Sequence, residues 1–186
     1  MRYHRPLKLL PFLLLLLLIG GCDEAPTGPD GLNPGEGQYT ISGDLEQSVR
    51  GWAIYETTEF ADHDRWMHVV IIAGGDPGHT SPLSFTLLSD SEAIPTGTFD
   101  VVELDPAGVS QEGRWAWSAP IQMPDGQSAQ GYSAGGTLSL DMDGTGTLTG
   151  SYSGPGFAWR NFTSFAPPDY TIQLDAEFKA ASISSF

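Results

Sequence analysis

Apolar and polar residues alternate with a period of two along most of this chain from Gln38 onward. In the run from Tyr170 to Lys179, every apolar side chain falls on one face of an extended strand. The shorter runs Thr137 to Leu140 and Thr147 to Tyr152 alternate in the same way. No window of a dozen residues keeps the apolar stripe of an amphipathic helix free of glycine, proline or β-branched runs. The pattern therefore predicts half-buried β-strands.

Six further segments have strand character and are separated by turn-forming residues. They are Tyr39 to Gly43, Arg50 to Thr57, Arg65 to Ala73, Leu83 to Leu87, Phe99 to Val101 and Arg114 to Ile121. The run from Arg65 to Ala73 is apolar at nearly every position, which is typical of a central strand covered on both faces. The 23 glycines and 14 prolines supply the turns. About nine short strands predict an all-β fold, an antiparallel β-sandwich, with an up-and-down β-barrel as the alternative.

The loop around residues 142–144 decides which side chains meet across the hairpin that contains it. A two-residue loop would place an apolar and a polar side chain opposite each other on the same face. A three-residue loop over residues 142–144, with Gly144 left-handed, sets Leu138 opposite Leu148. We expect the three-residue loop.

The N-terminus has the pattern of an export signal. Arg2, Arg5 and Lys8 precede an apolar run from Leu9 to Ile19. That run is eleven residues long, whereas about 20 apolar residues are needed to span a bilayer. Residues 1–21 are therefore expected to be a signal peptide that is removed.

The residues at the expected cleavage point, Leu18-Ile19-Gly20-Gly21-Cys22, resemble the lipobox of bacterial lipoproteins. The resemblance implies that Cys22 becomes the N-terminal residue and is lipidated. Cys22 is the only cysteine, so an intrachain disulfide is excluded. Several acyl chains on one cysteine would hold the protein firmly at a membrane. We expect an exported protein that is anchored by its lipid to a bacterial membrane, most readily at the outer membrane or the cell surface.

Residues 22–37 have the composition of a tether. They are mainly proline, glycine and acidic residues, and Leu32 is their single large apolar side chain. We expect residues 22–37 to form a lipidated cysteine with a flexible acidic linker, and residues 38–186 to form a single β domain. Beyond residue 21, five basic side chains stand against all 23 acidic ones. This balance argues against nucleic acid as a partner, because a phosphate backbone requires lysine and arginine.

The C-terminal part of the domain has a second resemblance. The segments GGTLSL (135–140) and LTGSY (148–152), followed by the closing strand of residues 170–179, are similar to the ending of uncharacterised all-β lipoproteins of environmental bacteria. Those endings run GGTLTI, a turn, TGTF and a final strand. The resemblance implies a hairpin within an all-β fold and brings no activity with it.

The segment GYSAG (131–135) matches the G-x-S-x-G pattern of a hydrolase nucleophile elbow. An elbow needs a helix after its serine and a triad histidine later in the chain. Here a strand pattern follows Ser133, and all the histidines precede it. Because no other arrangement of nucleophile, base and oxyanion donors is evident, we expect a protein that is not an enzyme.

Two groups of side chains are weak candidates for a metal site. Asp141 and Asp143 have the alternate spacing and following glycine of a calcium loop, but no ligand-bearing acid follows within a dozen residues. A hairpin turn is the simpler interpretation. His63, His68 and His79 lie near several aspartates but are spread along one strand and its flanking loops, which favours solvated side chains over ligands. No cofactor is expected, with calcium as the one possibility.

Trp115 and Trp117 are the strongest binding feature. They are two residues apart in an expected strand and so share a face. Exposed coplanar indoles would suit sugar rings, whereas packing in the core is the more common use of tryptophan.

The sequence as a whole predicts a non-catalytic binding or structural module of the cell envelope, with a glycan or an envelope protein as its partner. The first alternative is a carbohydrate-binding module that uses Trp115 and Trp117. The second is a glycoside-active enzyme that uses two carboxylates at a set separation.

Overall fold

The computed structural model describes residues 31–60, 64–74, 82–104, 113–160 and 167–183. Over these ranges the chain forms ten β-strands and no α-helix. The strands are β1 (Glu36–Gly43), β2 (Gln47–Phe60), β3 (Arg65–Gly74), β4 (Leu83–Ser89), β5 (Gly97–Asp100), β6 (Ala116–Gln122), β7 (Ser128–Ser133), β8 (Thr137–Met142), β9 (Leu148–Trp159) and β10 (Tyr170–Ser182). The all-β prediction is confirmed. All nine expected strands are present, and β7 is an additional one that the sequence pattern did not reveal.

Eight of the strands close into a ring. The order around it is β1, β2, β3, β4, β6, β7, β9, β10 and back to β1, and every neighbouring pair is antiparallel. The closing step is made by β1, which pairs with β2 on one side and with β10 on the other. The expected sandwich is therefore wrong, because a sandwich has separate sheets with free edges. The barrel alternative describes the observed strand pairing.

The two remaining strands extend the sheet beside the ring. Strand β9 is long enough to pair with β8 along its first half and with β7 along its second half. Strand β5 then pairs with β8. The chain beyond β5 turns back to the ring, where Val102 N donates to Trp115 O over 3.0 Å and Leu104 N donates to Ser133 O over 3.0 Å.

Alternation of side chains along each strand fills the interior of the barrel. On β10, the side chains of Ile172, Leu174, Ala176 and Phe178 are buried, and those between them are exposed or half-buried. These side chains belong to one apolar cluster with residues from the other strands. An eight-stranded barrel has an interior just wide enough to be filled by side chains.

Large aromatic side chains are accommodated by glycines on other strands. A Cβ placed on Gly156 of β9 would lie 2.6 Å from two ring atoms of Trp117, and one on Gly131 would lie 3.4 Å from another. Phe178 covers Gly150 in the same way. Glycine is therefore required at these positions by the space that the rings occupy, since even one methyl group is felt in a close-packed interior.

Strand β3 is covered less completely than its apolar sequence indicates. His68, Val70 and Ile72 face the core and are buried, whereas Val69 and Ile71 on the opposite face are half-buried. The expectation of full cover on both faces is therefore wrong, because the second face of this strand lies on the outside of the barrel.

Residues before the expected domain boundary also contact the domain. Leu32 is only 4% exposed and packs its side chain against the domain. Gly35 N donates to Lys179 O over 2.6 Å, and β1 begins at Glu36. Leu32 and the first residues of β1 therefore pack with the domain although they precede the expected boundary at residue 37, because the single large apolar residue of the segment gains burial there.

The hairpin between β8 and β9 has a longer loop than expected. Leu138 pairs with Tyr152 and not with Leu148, and Met142 pairs with Leu148. The left-handed residue is Gly146, with φ of 83°. The expected register and the observed one differ by an even number of residues, so both place the same side chains on the core face.

The glycine contacts with Trp117 give a stability prediction. We expect Gly156→Ala to lower the free energy of unfolding by about 1 to 3 kcal/mol, because the new methyl group would overlap the indole. Gly144→Ala is the matched control, since nothing lies within 4 Å of a Cβ at that position. Urea denaturation of the two variants measures the difference. Equal stabilities of the Gly156→Ala and Gly144→Ala variants would contradict the packing of the indole against Gly156. In a Trp117→Phe background, Gly156→Ala should cost less unfolding free energy than it does in the native protein.

Candidate functional site

The two tryptophans chosen from the sequence lie in the core. Trp115 is 1% exposed and Trp117 is 0% exposed. Trp115 packs near Phe99, with ring centroids 6.4 Å apart, and Trp117 packs edge-on near Tyr152 at 6.3 Å. A ring that stacks on a sugar must present its face to solvent, so the expectation that these indoles form a sugar platform is wrong for this structure. Their burial serves the packing of the barrel.

The serine of the GYSAG segment is also structural. Ser133 is the last residue of β7 and is 1% exposed. Its Oγ donates to Val102 O over 2.6 Å and accepts a hydrogen bond from Trp117 N at 3.2 Å. The segment is followed by strand β8, as the sequence predicts. The hydroxyl therefore joins β6 to the returning chain after β5.

The aspartates considered for calcium hold the β8–β9 turn. Asp143 Oδ1 accepts hydrogen bonds from Thr145 N at 2.8 Å, Thr145 Oγ1 at 2.7 Å and Thr147 N at 2.9 Å. These bonds hold the pKa of the Asp143 carboxyl below its usual value, and the bond from the Thr145 hydroxyl has the largest effect. Asp141 is exposed on β8, opposite Thr149. Over the described ranges, no three His, Cys, Asp or Glu side chains are grouped closely enough to hold a metal ion.

Substitution of these two aspartates separates a turn from a calcium site. We expect Asp143→Ala to lower the melting temperature, because three hydrogen bonds of the loop are lost, and Asp141→Ala to change it little. Calcium should leave the melting temperature of the native protein unchanged. A rise with calcium that both substitutions abolish would instead indicate a metal site.

The buried histidine has neutral hydrogen-bond partners. His68 is 0% exposed; its Nδ1 is 2.9 Å from Thr57 Oγ1 and its Nε2 is 2.8 Å from Ser89 Oγ and 3.0 Å from Ser91 O. A proton on Nε2 lets the ring donate to the Ser91 carbonyl and accept from the Thr57 hydroxyl. Burial lowers the pKa of His68, which keeps the ring neutral. His63 and His79 lie outside the described residues.

The lowered pKa of His68 makes stability depend on pH. In the unfolded chain the ring takes up a proton near its ordinary pKa of 6.5, whereas the folded chain takes it up only at lower pH. Stability should therefore fall as the pH drops through the interval between these two values, and not above it.

Replacement of the ring by an amide tests this dependence. We expect His68→Gln to reduce the loss of unfolding free energy between pH 7.5 and pH 5.5, measured by urea denaturation. The readout is the slope of the unfolding free energy against pH, since the substitution also changes the stability itself at every pH. An unchanged slope would contradict the role of His68.

A concave surface lies on the outside of the barrel. A groove of about 870 Å³ runs across β2, β1, β10, β9 and β8. Each of these strands contributes two outward-facing polar side chains. They are Ser48 and Arg50, Gln38 and Thr40, Asp175 and Glu177, Ser151 and Ser153, and Thr137 and Ser139.

Cross-strand pairing places these side chains in two rows. In the first, Thr40 stands between Ser48 and Asp175, and in the second, Gln38 stands between Arg50 and Glu177. The rows continue across β9 and β8, where Ser153 pairs with Asp175 and with Thr137, and Ser151 pairs with Glu177 and with Ser139. The groove floor is therefore a regular array of polar side chains.

Hydrogen bonds orient the two carboxylates of the groove. Ser153 Oγ donates to Asp175 Oδ1 over 2.6 Å, and Gln38 Nε2 donates to Glu177 Oε2 over 3.0 Å. At the β2 side, Arg50 lies 3.4 Å from Glu36. The pKa of the Glu36 carboxyl is lowered mainly by the hydrogen bond from the backbone N–H of Asn33, and to a smaller extent by Arg50. Hydroxyl, amide, carboxylate and guanidinium groups together offer many donors and acceptors to a polar ligand.

The sequence did not indicate this groove as a site. Its outward-facing residues are serines, threonines, two acids, a glutamine and an arginine, all at ordinary outward positions of five strands. Alternation could have identified them as one face of each strand. The groove depends on which strands are neighbours, and the residues of one strand carry no signal for that.

Comparison with known proteins gives no relative. No protein-family model, no curated protein and no solved structure matches the chain. In the part of the chain that the structure describes, there is no helix with the length and apolar character needed to cross a membrane.

Proposed function

We propose that this protein is a lipid-anchored binding module of the bacterial cell envelope, without catalytic activity, that holds its ligand in the outer groove. The observation that carries the proposal is the contrast between the two surfaces of the barrel. The interior is filled with packed apolar side chains, whereas the side chains that face outward in the groove of about 870 Å³ are polar. The lipobox-like residues 18–22 support the anchoring, with Cys22 as the lipidated residue.

The chemistry of the groove favours a hydroxyl-rich ligand that is neutral or positively charged. Short hydroxyl side chains and Gln38 can exchange hydrogen bonds with sugar hydroxyl groups. Asp175 and Glu177 would repel an anionic ligand that is bound in the groove. A neutral or amino-sugar glycan is therefore the ligand class that we propose.

Binding of defined oligosaccharides to the full chain in detergent tests the proposal. We expect neutral glucan or chitosan oligosaccharides to bind and oligogalacturonates not to bind, as measured by titration calorimetry. Gln38→Ala should weaken binding by about 3- to 10-fold, which corresponds to one or two net hydrogen bonds.

The matched control is Gln130→Ala, because Gln130 is an outward-facing glutamine on β7, away from the groove. Equal affinities of the two variants would contradict binding in the groove. If no oligosaccharide binds at any accessible concentration, the glycan proposal fails.

A second candidate function is glycoside hydrolysis by the acid pair of the groove. Asp175 and Glu177 are two residues apart on the same outer face of β10, so their Cα atoms are separated by roughly 7 Å. Glycoside hydrolysis requires the two carboxyl groups themselves to lie about 5 to 9.5 Å apart, and these are the two acids that the groove offers for such a pair. Turnover of an oligosaccharide that Glu177→Gln abolishes, while binding is retained, would favour the enzyme over the binding module.

A further inference from the structure

Five apolar side chains form an exposed patch on the outside of the barrel, which we call the outer apolar patch. They are Trp52 and Ile54 on β2, Ile71 on β3, and Ala181 and Ile183 at the end of β10. Trp52 is 43% exposed and Ile183 is 44% exposed, and the other three are half-buried. Strand pairing makes the patch continuous, since Ile54 lies opposite both Ile71 and Ala181.

The patch differs from the surface beside it. On the outer face of β2, the position next to Trp52 carries Arg50 of the groove, and on β10 Lys179 separates Ala181 from Glu177 of the groove. Trp52 and Ile183 are the large apolar side chains that are exposed in the described residues. A contiguous group of exposed apolar side chains within a polar surface marks a site of interaction with another apolar surface.

The chain enters the domain beside this patch. Gly35 N donates to Lys179 O over 2.6 Å, and Ala53 N donates to Gly35 O over 2.7 Å. Gly35 therefore lies between β2 and β10, next to residues that carry the patch. Cys22 is nine residues before Gly31, a separation of at most about 30 Å when extended and about 17 Å as a flexible coil.

We propose that the outer apolar patch lies on the lipid surface to which Cys22 is anchored. This inference rests on the lipid anchoring in the proposed function. Indole rings are favoured at the boundary between lipid headgroups and acyl chains, where their apolar body and N–H group are both accommodated. Lys179, which pairs across the strands with Glu36 beside Trp52, lies at the border of the patch, where it can reach lipid phosphates.

Because the tether is short, even a weak contact of the patch with the lipid surface is enough to hold the domain against it. The anchor keeps the patch within a few nanometres of the bilayer, so the second contact is intramolecular and has a high effective concentration. The groove begins at Arg50, one outward position away from Trp52 on β2. Contact through the patch therefore sets the orientation of the groove relative to the membrane.

Quenching of tryptophan fluorescence by brominated lipids tests the contact. The full chain, produced with its leader so that acylation can occur, is reconstituted in phosphatidylcholine vesicles with or without brominated acyl chains. We expect brominated lipids to quench part of the emission, and Trp52→Phe to remove most of that quenching. Trp66→Phe is the matched control, because Trp66 lies five residues along β3 from Ile71 and outside the patch. Ile183→Ser should reduce the quenching without changing the circular dichroism spectrum.

The outcomes separate the patch from the anchor. Protein that is acylated by mass spectrometry and floats with the vesicles, but shows equal quenching in Trp52→Phe and Trp66→Phe, would overturn the patch contact and leave the anchoring intact. Protein that is neither acylated nor bound to vesicles would overturn both. A Cys22→Ser chain that dimerises in solution, and becomes monomeric when Trp52 is replaced by serine, would assign the patch to self-association and overturn the lipid contact.

Discussion

The pairing of β1 with both β2 and β10 is the constraint on which the rest of the structure depends. The N-terminal strand bonds to the C-terminal strand over residues 36–43 and to β2 over residues 36–41. This pairing turns a row of antiparallel strands into a ring and leaves no free edge within it. The chain has no disulfide to hold its ends together, since it contains one cysteine. Closure by hydrogen bonds around a packed interior takes that role.

A filled ring restricts binding to the outer surface. Trp117, Phe178 and Tyr152 extend into the interior over glycines of β7, of β9 and of the turn before β8, and all three side chains are buried. The outer face changes character along the length of β2. The polar groove ends at Arg50, and the outer apolar patch begins at Trp52. This division connects the two proposals, because a domain held to a lipid surface by the patch presents the groove beside that surface.

Alternation, the apolar run of β3 and the turn-forming residues between segments were sufficient to predict nine of the ten described strands. They failed for β7, because Ser128–Ser133 (SAQGYS) has small core-facing residues, and Gly131 is required there by the space that Trp117 and Ile121 occupy. Alternation also defines which face of a strand is buried but not its register. The β8–β9 loop shows this limit, because the hydrogen bonds of the Asp143 carboxylate select a longer loop with the same faces.

The candidate site was less accessible to sequence reasoning than the fold. Trp115 and Trp117 share a short segment of sequence, but sequence spacing does not distinguish an exposed face from a buried one. The groove is formed by two residues from each of five strands, and strands β2 and β9 are separated by about half of the chain. Their arrangement follows from closure of the ring, which is a property of the whole sheet.

Hydrogen exchange of the β1 backbone amides tests the closure of the ring most directly. In the closed ring β1 has a hydrogen-bonded neighbour on each side, so we expect slow exchange at consecutive amides from Gln38 to Ile41. In an open sheet β1 would be an edge strand, and every second amide would face solvent. An alternating pattern of slow and fast exchange along β1, recorded by nuclear magnetic resonance on the native protein, would contradict the account.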